Sequence, residues 1–363
     1  MRVAIVGVLV LLLTGVVSGT SAQAQNAALD VYFVDVEGGQ ATLFVSPSGE
    51  SMLIDAGYAG FGGRDAERIV AVARPAGLKQ IDYLVITHFH GDHVGGVPEL
   101  AARFPIRTFV DAGTTVESEE SAQALFQNYA EVRKKGRHVL ATPGATIPIA
   151  GIDVRIVASA AELIKTPLAG VPGAGSANPL CAKPFNADAP GARMRPSTLG
   201  KPWSENLQSV ATHITYGNFR LVYLGDLNWD QERTFVCPTN LLGTADVYVA
   251  TAHGQQISGP EVLVHALRPR AIVMNNALKK GGDSPTMAVV RSSPGADVWQ
   301  LHFSQLSTKA ENAPDAFIAN VGELDTGHWI KLSARRDGSF TVTNSRQNFT
   351  KTYDPTHSQP AGR

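Results

Sequence analysis

Residues 85–96 read VITHFHGDHVGG, placing His88, His90, Asp92 and His93 within six positions of a 363-residue chain that has only ten histidines. In an extended segment, side chains two apart project to the same side, so His88 and His90 can address one cation together. Gly91 then turns the chain, and Asp92 and His93 open the next helix facing a neighbouring point. Imidazole and carboxylate are the ligands that borderline cations such as Zn²⁺ prefer. A structural zinc would gather four ligands on one ion and leave no reactive position. The spacing here suits two adjacent ions.

Working outward, Ile81 to Thr87 is a short apolar strand that delivers this cluster. Upstream, Leu29, Val31 and Phe33, then Ala41, Leu43 and Val45, flank Gly38-Gly39. Met52 to Ile54 lead into Asp55-Ala56-Gly57, completing a β meander. A polar helix spans Arg64 to Ala73 and ends before Pro75. Downstream, Ile152 to Ala158 reads as a strand, and Val210 to Tyr216 with Phe219 to Leu224 reads as a hairpin pair ending in Gly225-Asp226. Ala245 to Ala250, Ala271 to Met274 and Val298 to His302 are further strands. Trp329 to Ser333 and Phe340 to Thr343 form a final β-hairpin. Strands that first meander and then alternate with helices imply an α/β fold of two stacked sheets with outer helices, one domain over residues 25–350, with 351–363 a flexible tail.

Composition agrees with a packed globule: 44% hydrophobic, 17% charged, 35 glycines. The formal net charge of −1 excludes an overall basic excess of the kind that binds long nucleic acids tightly. Arg2, the apolar run Val3 to Val17 and Ala22-Gln23-Ala24 read as a signal peptide over residues 1–24, so the mature chain is expected to be periplasmic or secreted, with no stable membrane span after processing. Cys181 and Cys237 either form one disulfide there, contributing roughly 4 kcal/mol, or stay as two thiols. Residues 165–203 hold seven of the 21 prolines and five glycines, with Lys165, Lys183, Arg193, Arg195 and Lys201 against the single acid Asp188. This insert reads either as a functional lid or as a surface loop.

With these motifs in hand, the chain resembles the metallo-β-lactamase superfamily, whose His-x-His-x-Asp-His signature stands as His88, His90, Asp92 and His93. Within it, the chain is most similar to the domain of ComEC-type competence proteins. The opening "DVGQGD" stands altered as Asp35 to Gln40, and "LIDAG" is Leu53 to Gly57. "Asn-x-x-Ser" is Asn206 and Ser209, and "Tyr-Gly" is Tyr216-Gly217. "Gly-Asp" is Gly225-Asp226, and "His-His-Gly" is Ala252-His253-Gly254. The chain departs from the pattern at Ala252, at Asp283-Ser284-Pro285 in place of "His-Pro-Ser", and in having Asn206 or Ser209 where many members carry a third histidine on the first ion. His213, in mid-strand, reads as an ordinary core residue.

The resemblance implies a four-layer αββα sandwich and two divalent metal ions, zinc or manganese, held by His88, His90, Asp92, His93, Asp226 and His253. Asp226 would bridge the ions, and Asp55, Asn206 and Ser209 would support the ligands from behind. It implies an exported hydrolase that uses a metal-bound hydroxide, with Asp92 and Asp226 as catalytic groups orienting it. Lys279, Lys280 and Asp283 are candidate substrate-binding residues, the lysines being otherwise solvated surface charges. A phosphodiester or other small or short anionic ester fits best. The alternatives are a lactone or β-lactam hydrolase, a non-catalytic metal-binding module, or an iron-bearing oxidoreductase of the same superfamily.

Overall fold

The computed structural model describes residues 28–183, 204–323 and 326–355. The expected export signal, residues 184–203 of the insert with Arg193, Arg195 and Lys201, and residues 356–363 lie outside the described residues.

The meander forms as expected, as β1 (Leu29–Phe33), β2 (Thr42–Val45) and β3 (Ser51–Ile54). Helix α1 (Arg64–Ala73) follows, with Ala66, Ile69, Val70 and Ala73 buried on one face at helical spacing. Next come β4 (Ile81–Val85), the single turn α2 (Gly91–Val94), α3 (Val97–Arg103), β5 (Ile106–Asp111), α4 (Glu120–Arg133) and β6 (Arg137–Leu140). The second half begins with β7 (Thr146–Ile147), β8 (Asp153–Ser159), β9 (Glu162–Leu163), β10 (Ala211–Tyr216) and β11 (Phe219–Tyr223). It continues through α5 (Trp229–Val236), β12 (Val247–Val249), α6 (Glu261–Leu267), β13 (Ala271–Met274), α7 (Ser284–Ser292) and β14 (Asp297–His302). Last are β15 (Ile318–Asn320), β16 (Ile330–Ala334), β17 (Phe340–Asn344) and β18 (Phe349–Tyr353).

Two nine-stranded sheets result. One runs β18-β17-β16-β1-β2-β3-β4-β5-β6, antiparallel as far as β3 and parallel from β3 to β6. The other runs β15-β14-β13-β12-β11-β10-β8-β7, with β9 on β8, and is parallel from β15 to β11. Alternation along the strands divides the apolar residues into three layers. Leu29, Val31 and Phe33 meet Tyr216, Leu221, Val273 and Trp299 between the sheets. On the outside, Leu43, Leu53 and Leu84 pack on Ile69, Leu100 and Tyr129, and Val222, Tyr248 and Ile272 pack on Phe235, Leu263 and Met287. Helices therefore cover both outer faces, the αββα order of the metallo-β-lactamase fold. β12 and β13 are buried at every position because both of their faces are covered.

The carboxyl-terminal hairpin is β16 and β17, joined to the meander through β16 on β1. The expected tail begins later than residue 351, because 351–353 belong to β18. Tyr353 stacks on Phe340 with centroids 4.4 Å apart, accepts a hydrogen bond from Trp299 Nε1 at 2.9 Å and donates to Asp297 at 2.7 Å. The polar run Thr350-Lys351-Thr352 conceals that anchor in the sequence.

Cys181 and Cys237 form a disulfide. Together with Leu168 N donating to Leu241 O and Asn178 N donating to Pro238 O, it straps residues 165–183 against the helical layer of the second sheet. Lys183 is spent on Glu261 at 3.0 Å.

Candidate metal centre

The carboxyl ends of four strands converge: β3 delivers Asp55, β4 delivers His88 to His93, β11 delivers Asp226 and β12 delivers His253. In sheets of this kind the crevice beyond the strand ends is where ligands bind. The backbone is bent hard to aim these groups. Asp55 (φ 60°), Ala252 (φ 48°) and His253 (φ 60°) all occupy left-handed conformations that cost a non-glycine residue free energy. Gly225 is required before Asp226: it has φ 60°, and a Cβ there would lie 2.9 Å from Ser209.

Each imidazole has one nitrogen engaged by the protein and one turned inward. His93 Nδ1 donates to Asp55 Oδ2 at 2.8 Å, His253 Nδ1 donates to the Asn275 carbonyl at 3.2 Å, and His90 Nε2 lies 3.2 Å from Glu117 Oε1. Asp55 also accepts from Thr87 N and from Thr87 Oγ1, both at 2.8 Å, and that hydroxyl sits 3.1 Å from His88 Nδ1. Such partners fix ring orientation and tautomer. The inward atoms gather in two groups. His88 Nε2 lies 2.9 Å from His90 Nδ1, and His88, His93 and Asp226 bring ligand atoms within 4.8 Å of one another. Asp92, His93 and His253 form a second group of the same breadth. Asp226 reaches His93 Nε2 with Oδ1 and His253 Nε2 with Oδ2, both at 3.5 Å, which suits a bridging carboxylate.

These residues fit divalent cations. His93 Nε2, His253 Nε2 and Asp226 Oδ1 are buried and form no well-aligned hydrogen bond, their contacts with one another and with Asp92 being ion pairs at 3.1–3.5 Å. Leaving such atoms without a hydrogen bond is costly unless something binds them. The electrostatics point the same way. Burial opposes charge on Asp92 and Asp226, yet His93 and His253 hold both carboxyls well below the ordinary range. Burial likewise opposes charge on His93, but Asp92, Asp226 and Asp55 raise its pKa well above that of a free imidazole. Burial and the neighbouring His93 push His88 down.

Ser209 Oγ accepts from Asp226 N at 3.1 Å and so braces the bridging carboxylate, while Asn206 Oδ1 is buried without a partner. Lys280 and Lys279 separate. Lys279 is exposed, whereas the Lys280 ammonium contacts Asp92 Oδ2 and lies 3.4 Å from the Tyr58 hydroxyl. Burial works against its charge, but Asp92, Tyr58 and Asp226 together outweigh that and raise the pKa. The Lys280 turn is built in, since Ala277 N donates to Lys280 O and a Cβ at Gly281 would lie 2.0 Å from His253 O. Asp283, expected as a substrate-binding residue, lies beside the chain that follows His253. It stands at the amino-terminal cap position of α7, its N donates to Gly254 O, and its Oδ2 accepts from Gln256 N at 2.9 Å. It holds the chain after His253 in place. His213 is buried in β10 outside both ligand groups, its pKa lowered to about 4 by burial and by Arg220 and Arg155.

Sequence reasoning missed Thr87, Glu117, Tyr58 and Gln40. Gln40 N donates to Asp92 O, and its side chain accepts from Tyr223 at 3.0 Å. Thr87 alone carried a signal, as the hydroxyl residue leading into the histidine cluster. A third group, Asp35, Glu37 and His302, is already engaged by a neighbouring guanidinium. Arg68 lies 3.0 Å from Asp35 and 3.5 Å from Glu37, and His302 Nε2 lies 2.7 Å from Asp35, tying β14 to the loop after β1.

The fold is that of the metallo-β-lactamases, with a candidate histidine–carboxylate cation site at its strand ends. The Metallo-beta-lactamase superfamily model matches residues 34–176, a segment under half of the chain that carries His88 to His93. Asp226 and His253 lie beyond the match. A hydroxyacylglutathione hydrolase of Stenotrophomonas maltophilia is 33% identical over 112 residues, 29% of this chain and 37% of that protein. A UPF0173 metal-dependent hydrolase of Staphylococcus saprophyticus is 34% identical over 65 residues, 18% of this chain and 25% of its own length. The chain thus spans well under half of either relative. The solved metallo-β-lactamase fold protein YhfI of Bacillus subtilis superposes with a TM-score of 0.44 at 11% identity, covering 76% of this chain and 96% of that one.

Proposed function

We propose that this chain is an exported metal-dependent hydrolase of small anionic esters, phosphodiesters foremost. The observation that carries the reading is the convergence of three buried ligand atoms that make no hydrogen bond, on His93, His253 and Asp226, beside the His88–His90 pair and the Lys280 ammonium. His88, His90 and Asp226 would hold one ion, and Asp92, His93, His253 and Asp226 the other. The nitrogen–oxygen donor set favours zinc, with manganese next.

Bound cations would supply polarised water and a Lewis acid at the oxygen under attack. The protein's own groups do the rest. Asp92 or Asp226 would accept a hydrogen of the attacking water and orient it. Lys280 draws an anionic group to the Asp92 side. Asp55, Thr87 and Glu117 keep the imidazoles aimed. The altered opening Asp35 to Gln40, together with Asn206 and Ser209 in place of a third histidine, supports kinship with the competence-type branch. The Cys181–Cys237 disulfide supports an oxidising, extracytoplasmic setting. No helix among the described residues is long and apolar enough to cross a membrane.

The test is elemental analysis of the purified chain after dialysis, followed by turnover of phosphodiester, lactone and β-lactam reporters. Close to two ions per chain with fastest metal-dependent turnover of the phosphodiester is expected. Faster lactone or lactam turnover would reassign the substrate. Retained ions without turnover would leave a binding module, and no retained ion would end the proposal.

A further inference from the structure

From Lys280 a line of contacts runs outward to an aromatic residue in solvent. The Lys280 ammonium sits 5.7 Å from the centre of the Tyr58 ring, and Tyr58 meets Phe61 edge to face with centroids 6.5 Å apart. Phe61 is 70% exposed, the most exposed large hydrophobic side chain among the described residues. It also holds φ 52°, a conformation that a bulky residue adopts only under constraint. A Cβ on Gly60 or Gly62 would meet nothing within 4 Å, so the loop stands clear of the body. It is nevertheless braced from behind. Tyr58 N donates to Asp65 at 2.8 Å and Gly60 N donates to Glu99 at 3.1 Å. The Arg64 guanidinium lies 4.6 Å from the Phe61 ring centre and is bonded to Asp65 at 2.7 Å. An apolar ring held in water, on a strained and braced loop, joined to Lys280 through Tyr58, is a ring on display.

We propose that Tyr58 and Phe61 form a stacking wall that selects substrates in which a flat ring adjoins the anionic group facing Lys280. The substrate class narrows to aryl or heteroaryl phosphodiesters, because ring-on-ring packing favours a flat partner beyond its buried area. The inference rests on the hydrolase reading and deepens it.

The experiment uses the full metal-loaded chain and two reporters with the same non-aromatic leaving group, O-phenyl S-ethyl phosphorothiolate and O-methyl S-ethyl phosphorothiolate, read by released ethanethiol. Binding of phenyl phosphate and methyl phosphate is measured by calorimetry alongside. Phe61→Ala should lower the phenyl-to-methyl ratio of kcat/KM about tenfold, mainly through KM, and Phe61→Trp should restore it. An unchanged ratio with unchanged binding preference would overturn the wall while leaving the hydrolase standing. If the wild type turned over neither ester yet preferred phenyl phosphate, and Phe61→Ala erased that preference, the wall would stand and the hydrolase reading would fall. No turnover and no preference would overturn both.

Discussion

His93 Nδ1 donates to Asp55 Oδ2 at 2.8 Å, joining the histidine cluster to the end of β3 across 38 residues. Both side chains are fully buried, so the bond fixes which nitrogen of His93 faces the cation site. Asp55→Ala would leave the Nδ1 hydrogen and the Thr87 hydroxyl without their acceptor. We expect divalent-ion affinity to fall about 10- to 100-fold, with partial recovery in Asp55→Asn, as measured by competition with a chromogenic chelator. Wild-type affinity in Asp55→Ala would show that the bond does not orient the ligand.

His253 and His213 are both buried histidines of the second sheet, and they should behave in opposite ways. His253 turns Nε2 toward Asp92 at 3.1 Å and Asp226 at 3.5 Å. His213 is kept neutral in mid-strand. His253→Ala should abolish turnover and cut the bound metal by about one ion per chain. His213→Ala should lower the melting temperature while turnover at 25 °C stays within about twofold of wild type. Equal loss of turnover in both would mean that the ligand shell is misassigned.

The same contrast shows how far the sequence could be read. The helix Arg64–Ala73 and the strand Ala271–Met274 were legible to the residue because apolar spacing and a nearby breaker, Pro75 in the first case, coincide. The cluster His88 to His93 was legible because it is local. Asp226 and His253 needed the family resemblance, since 133 positions separate Asp226 from His93 and a strand-end aspartate is common. Glu117 and Tyr58 were not legible, because their roles depend on where loops fold. The Asn275 carbonyl bears no residue-type signal at all. Asp-Ser-Pro at 283–285 is an ordinary helix-start pattern, and Asp283 does stand where a helix begins.

Metal uptake should be coupled to proton release. In the ion-free protein, burial opposes charge on His93, but Asp92, Asp226 and Asp55 raise its pKa well above 6.5, so near neutral pH a proton balances the carboxylates. A cation must displace that proton, so affinity falls as pH falls. The sign for stability of the metal-free chain follows from linkage. His93's contribution is complete below 6.5 and is lost as pH rises through its raised value. The contributions of Asp92 and Asp226 are present above 3.8 and are lost as pH falls through their lowered values. Calorimetric titration with Zn²⁺ in two buffers of different ionisation enthalpy should report release of about one proton near neutral pH. Identical heats in the two buffers would refute the coupling.

Glu232 on α5 gives a pH effect away from the ligands themselves. It is fully buried, its Oε2 accepts from Gly259 N at 2.8 Å, and the Tyr248 hydroxyl lies 3.4 Å from Oε1. Burial pushes its pKa from 4.5 to about 8, against the pull of its hydrogen bonds from Thr251, Gly259 and Tyr248 and with a smaller push from Asp226. The folded carboxyl therefore binds its proton more tightly than the unfolded one. Between pH 4.5 and about 8 the native state carries the extra proton, so stability declines as pH rises through that window and levels off above it. Glutamine keeps the shape and cannot ionise. Glu232→Gln should match the wild type near pH 4 and exceed it progressively towards pH 8.5, as read from urea midpoints at fixed ionic strength. A difference that stayed constant with pH would mean that the wild-type carboxyl is already ionised in the folded protein, with Tyr248 and Gly259 compensating a buried negative charge.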